Sequence, residues 1–138
     1  MRFLLLINII TILFSCTTAE VPSNCEFTGE ITETSTLQED QKTLEDLFTL
    51  LETMSKEVTC TNAADWETVA YGKKACGGPL GYIAYNVYID TECFLQKANL
   101  YTKMSGAFNT KHGAVSDCSI APPPKSISCE NGEAVLNF

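Results

Sequence analysis

Leu37, Leu44, Leu47, Phe48, Leu51, Met54 and Val58 recur at steps of three, four and seven. That spacing lines one face of a helix and predicts one over residues 37–57. Thr36 and Glu39 supply a capping box at its start, the hydroxyl accepting an orphan backbone N–H while the carboxylate reaches back. Asp40, Glu45, Asp46 and Glu52 are assigned to the opposite, solvated face, which would otherwise be a docking surface for a basic partner. Residues 66–71 and 81–89 read as strands. The second puts Ile83, Tyr85, Val87 and Ile89 on an apolar face and Tyr82, Ala84, Asn86 and Tyr88 on a half-polar one.

A second helix is predicted from Asp90 or Thr91, either of which can cap it, to His112, with Gly113 as a left-handed terminator. Its buried stripe is Phe94, Ala98, Tyr101 and Phe108, widened by Leu95, Leu100 and Met104. Lys111 and His112 fall in the last turn, where positive charge complements the helix dipole. Pro122, Pro123 and Pro124 make a stiff connector. Asn131-Gly132 then signals a type I′ hairpin pairing Cys129 with Ala134 and Ile127 with Leu136, which sets Glu130 opposite Glu133. Solvent or a cation would relieve that like-charge pair. These elements predict an α+β fold: a small antiparallel sheet of about four strands covered on one face by two helices and stabilised by disulfides.

The N-terminus has a different pattern. Arg2 precedes an apolar run over residues 3–14 broken only by Asn8 and Thr11, the form of a secretory signal and too short for a bilayer span of about 20 residues. Two cleavage sites compete. Leu13-Phe14-Ser15-Cys16 resembles a bacterial lipobox with Cys16 as the lipidated N-terminus, whereas Thr17-Thr18-Ala19 suits ordinary signal peptidase. The lipobox is preferred, because a cysteine directly behind the apolar run has no other evident purpose. The chain of 138 residues therefore divides into a signal peptide (1–15, or 1–19), a flexible tether rich in Thr, Ser and Glu (16–34), and one globular domain (35–138).

Either cut leaves Cys25, Cys60, Cys76, Cys93, Cys118 and Cys129, an even set that reads as three bridges in an oxidising compartment. Six cysteines allow about 15 connectivities. With no C-x-x-C pair and His112 as the single histidine, the ligand spacing of a zinc site is missing, and no metal or other cofactor is expected. The formal charge of −8 lacks the basic footprint of a nucleic-acid binder. Residues 20–57 hold ten of the 17 acids.

No nucleophile-and-base set is evident. Carboxylate chemistry through Asp65, Asp90 or Asp117 is the one enzymatic route left, and each of these also explains itself as a cap or turn residue, so a non-enzymatic role is expected. The most informative stretch is Lys73-Lys74-Ala75-Cys76-Gly77-Gly78-Pro79, since ordering two glycines for packing alone is costly. Either it is a tight disulfide-anchored turn or it is a rigid loop presented to a partner. Lys73, Lys74, Gly77, Gly78, Pro79, Tyr82 and Tyr88 are the candidate binding residues.

From Cys60 onward, Cys76-Gly77-Gly78-Pro79, Ser116-Asp117-Cys118 and Cys129-Glu130-Asn131-Gly132 resemble the pattern of an uncharacterised family of small exported proteins and lipoproteins of Bacteroidota, over roughly 80 residues. The resemblance implies an envelope location and no assigned activity. Its four usual cysteines resemble Cys60, Cys76, Cys118 and Cys129, which makes Cys25 and Cys93 an added pair. A strand and helix joined near Asp90 bring Cys76 beside Cys118; the remaining family-like pair is then Cys60 with Cys129. The resulting expectation is an exported, lipid-anchored, non-catalytic binding module of the cell envelope, with an unidentified protein or envelope component as partner and no membrane contact beyond the anchor. The alternative is an inhibitor of a secreted hydrolase that presents the loop at residues 76–79.

Overall fold

The computed structural model describes residues 25–138. Residues 1–24, on which the expected signal segment and the lipidation at Cys16 fall, lie outside the described residues. Helix α1 spans Leu37–Ser55 and helix α2 Thr91–His112. The strands are β1 (Trp66–Tyr71), β2 (Gly81–Asn86), β3 (Ser126–Glu130) and β4 (Glu133–Asn137), with a short 3₁₀ turn at Ala63–Asp65.

Local chemistry accounts for the ends of these elements. The Thr36–Glu39 capping box is formed, with the Thr36 N–H donating to Glu39 Oε2 at 2.7 Å and the Glu39 N–H to Thr36 Oγ1 at 3.3 Å. Asp90 Oδ1 accepts from the Cys93 N–H at 3.0 Å to start α2, and Gly113 ends it at φ 60. Asn131 and Gly132 both have positive φ, 53 and 85, as a type I′ turn requires, and the register pairs Cys129 with Ala134 and Glu130 with Glu133. Strand β2 stops at Asn86 rather than Ile89. The Asn86 carboxamide accepts the Tyr88 N–H at 2.9 Å, turning Val87 and Tyr88 outward.

The α+β class, the two helices and the four antiparallel strands are present, but the strands form two hairpins, β1–β2 and β3–β4, rather than one sheet. The first hairpin is covered on both faces. Its helix-facing side sends Val69, Ile83 and Tyr85 against Leu51, Met54, Phe94 and Ala98. Its half-polar side sends Trp66 and Ala84 against Ile127, Cys129, Ala134 and Leu136 of the second hairpin. The three layers are thus helices, first hairpin and second hairpin, which explains why adjacent residues Ala84 and Tyr85 are both buried.

Two expectations about polar residues are corrected. Asp40 does not lie on the solvated face of α1: it is fully buried, seven residues before Leu47 on the same stripe. Its carboxylate is admitted to the interior by donors from other segments. The flexible tether expected through residue 34 does not hold for residues 25–34. From Cys25 the chain is fastened along α2 by the Cys25–Cys93 disulfide, by Lys97 Nζ donating to the Cys25 carbonyl at 2.9 Å and by Lys111 Nζ donating to the Thr32 carbonyl at 2.6 Å. Lys97 is itself 3% exposed, a buried ammonium on a helix face expected to be apolar.

The disulfides are Cys25–Cys93, Cys60–Cys129 and Cys76–Cys118. They tie the N-terminal arm to α2, the second hairpin to the segment after α1, and the glycine loop to the segment after α2. Such bridges belong to an oxidising, extracytoplasmic environment. Among the described residues no helix is long and apolar enough to cross a membrane.

Candidate functional site

The loop between β1 and β2 is built from its ends inward. At its start the Gly72 N–H donates to Thr102 Oγ1 and the Lys73 N–H to Ser105 Oγ, both at 2.9 Å, while Asn109 Nδ2 donates to the Lys73 carbonyl at 2.6 Å. One side of α2 thereby grips the first two loop residues. At its end the Leu80 N–H returns to the Tyr71 carbonyl at 2.9 Å. Within the loop the Lys74 N–H donates to the Gly78 carbonyl and the Gly77 N–H to the Lys74 carbonyl, again at 2.9 Å. The tip is closed on itself.

Gly77 and Gly78 have φ values of 96 and 78, a region that L side chains rarely adopt, and beyond its chain neighbours no atom lies within 4 Å of a Cβ built on either. Their need is conformational on the side of the protein and leaves open space on the outside. The adjoining segment braces this tip: Cys118, itself at φ 53, bridges to Cys76, and the Cys76 N–H donates to Ser116 Oγ at 3.3 Å.

The two lysines part company. Lys74 is absorbed into the scaffold, with Nζ donating to Asp117 Oδ1 at 3.1 Å, the Ser119 carbonyl at 2.8 Å and Ser119 Oγ at 2.9 Å. Hydrogen bonds from Ser119 and then from Lys74 hold the Asp117 carboxyl below its ordinary range. Lys73 is exposed, as are Cys76, Gly77 and Gly78, while Pro79 is half-buried. Tyr82 does not join this loop surface: it lines a cleft of about 370 Å³ between the two hairpins and the end of α1. Tyr88, 76% exposed, stands past the end of β2, outside that cleft lining. The candidate residues therefore divide among a braced loop tip, a cleft wall and an exposed turn.

The three candidate carboxylates are each engaged locally. Asp65 accepts from Asn62 Nδ2 at 3.2 Å, Asp90 caps α2, and Asp117 holds Ser119 and Lys74. All six described cysteines are bridged. No three of His, Cys, Asp and Glu gather as metal ligands would among the described residues.

The polar cluster that sequence reasoning missed surrounds Asp40. Lys111 Nζ and His112 Nε2 each lie 2.7 Å from its Oδ2, and Ser35 Oγ donates to its Oδ1 at 2.5 Å. Burial raises the pKa of this carboxyl, but the bonds from Lys111, Ser35 and His112 outweigh it and bring it down to about 2. Lys111 further donates to the Ser35 carbonyl and hydroxyl at 2.5 and 2.8 Å. The seven-residue step from Asp40 to Leu47 was the available signal. Every partner but Ser35 is some 70 residues away, beyond the reach of local patterning. This group is a clasp between the start of α1 and the end of α2.

No family model matches the chain, and no curated protein and no solved structure matches it either.

Proposed function

We propose that the chain is an exported, lipid-anchored, non-catalytic binding module of the bacterial cell envelope, contacting its partner through the loop at residues 73–79. The observation that carries this reading is that Cys76, Gly77 and Gly78 are exposed while the loop is held by a disulfide, by two bonds across its own tip and by the α2 grip on Gly72 and Lys73. Ordering such a segment is part of folding, so a partner that docks there does not bear that entropic cost. The lipobox around Cys16, the disulfides and the Bacteroidota resemblance support the location.

The anchor is tested by metabolic labelling with radioactive palmitate: incorporation into the parent and its loss in Cys16→Ala are expected, and an unlabelled parent sends the chain to a soluble exported state. The contact surface is tested by crosslinking from isolated envelopes. A component captured by the parent and lost with the exposed-site variant Lys73→Glu is the expected result; equal capture by both, or none above background, overturns the loop as the contact.

The same pre-ordering favours one second reading, an inhibitor that inserts the stiff loop into the cleft of a secreted hydrolase. Stoichiometric protection in a panel of proteases and lysozymes would select it, whereas unchanged hydrolysis throughout would remove it.

A further inference from the structure

Tyr82 leads to a second site, independent of the loop. The cleft that it lines wraps the unpaired edge of β2, with Tyr82 and the buried Trp66 on the face toward the second hairpin and Tyr71, packed on Phe48, on the face toward the helices, and it carries Glu52 of α1 and Glu133 of β4 at its exposed margins. Its volume of about 370 Å³ is at the small end for ligand pockets and suits one long side chain rather than an extended ligand.

Its charge is unbalanced. Neither Glu52 nor Glu133 takes part in an ion pair among the described residues. The β3–β4 register places Glu133 directly opposite Glu130, a like-charge pair that a cation would relieve. Burial and then the negative charge of Glu52 raise the pKa of the Tyr71 hydroxyl, so the field of that carboxylate reaches the cleft wall. Lys56, one turn beyond Glu52, is the single positive lining residue and makes no ion pair among the described residues. The chain as a whole is at −8.

Aromatic faces with carboxylates at the margin are the chemistry that recognises a cation with a flat or apolar stem: the ring quadrupole attracts the charge and the carboxylate hydrogen-bonds it. Guanidinium is the better fit, because its plane stacks on a ring while its edge meets the carboxylate. We infer that the cleft between α1 and the two hairpins is a recognition site for a basic protein segment, entered by one arginine side chain that lies between the part-exposed Tyr71 and Tyr82 at the β2 edge and is held by Glu52 and Glu133.

Trp66, the chain's single tryptophan, lines this cleft and also a second pocket beside Lys125 and Ser126, so a change in its emission is assigned to this cleft through the Glu52 and Glu133 variants. Its emission is followed on titration with triarginine, trilysine, trialanine and chitotriose, with the full exported chain. A saturable change with triarginine, weaker with trilysine and missing with trialanine, is expected. Glu52→Gln and Glu133→Gln should each weaken triarginine binding roughly two- to tenfold, and Lys56→Gln should tighten it. Glu92→Gln, on an exposed turn of α2, should leave it unchanged. The inference is overturned by the absence of a saturable change, by an equal response to trialanine, by tighter binding of chitotriose, which would mark a sugar site, or by equal loss with Glu92→Gln, which would mark general attraction to an acidic surface. Circular dichroism of each variant verifies the fold; the two glutamates are exposed, so unfolding in either would itself contradict the assignment.

Discussion

The buried carboxylate of Asp40 lies 2.7 Å from Nε2 of His112, across 72 residues of sequence, and joins the first turn of α1 to the last turn of α2. Ser35 and Lys111 complete its shell, so its charge is compensated from three directions. Removing a donor leaves the fully buried carboxylate under-compensated, and removing Asp40 takes from the part-buried Lys111 and His112 the one anion that joins them to α1. Asp40→Ala is expected to lower the melting temperature markedly. Asp46→Ala, which removes only the exposed pair with Lys42 in the same helix, should change it little. Thermal melts of the two variants side by side make the comparison, and equal effects would refute the clasp.

The clasp also sets an acid limit. The pKa of Asp40 falls from its ordinary 3.8 to about 2 on folding. The unfolded chain therefore takes up the proton first, and the carboxylate's contribution to stability is present in full above pH 4 and lost as the pH falls from about 4 to 2. A denaturation series over this window should show stability rising with pH in the parent, and a shallower rise in Asp40→Asn.

At the loop tip the positive φ of both Gly77 and Gly78 predicts that Gly77→Val and Gly78→Val each cost about 1 to 3 kcal/mol through backbone strain. Open space around each means that no steric clash is added. Unfolding in denaturant measures the cost. A variant that retained the parent's midpoint would show that its glycine is not required by conformation. If, with stability restored by lower temperature, partner capture is still lost in only one variant, that glycine is the one in contact.

The three bridges close loops with sequence separations of 42, 68 and 69 residues. In the chain-entropy model each contributes about 4 kcal/mol. The double replacement Cys76→Ser with Cys118→Ser should lower stability by up to this amount and free the tip at Gly77 and Gly78, seen as faster amide exchange there than in the parent. Non-reducing peptide mapping should return the three observed pairs, and a free thiol at any of the six positions would contradict them.

In the core, Leu51 is fully buried between α2 and the first hairpin. Leu51→Ala is expected to cost about 2 to 5 kcal/mol, the loss of its apolar burial plus the cavity left behind. Leu37, 46% exposed at the start of the same helix, should tolerate alanine with little loss despite belonging to the same periodic series. Equal costs would mean that the helix face has been misplaced.

What local sequence determined about this protein are the features that a few neighbouring residues decide among themselves. Thr36 with Glu39, Asp90 with Cys93, Gly113 and Asn131-Gly132 each satisfy or redirect backbone groups within a turn, so both helices and the second hairpin were legible with near-correct bounds. The apolar stripes of the helices followed from periodicity, but tertiary structure alone decided which polar residues and which second faces those elements bury. Polar side chains are read from sequence as solvated because an isolated charge is too costly inside; Asp40 and Lys97 escape that rule through partners from distant segments. The half-polar face of β2 was read as the outside of a sheet, and the second hairpin covers it because Ala84 and Trp66 offer enough apolar surface against Ile127 and Leu136. Tyr82 and Glu133 likewise meet in one cleft only because the two hairpins stack, a contact between segments some fifty residues apart that no periodicity encodes.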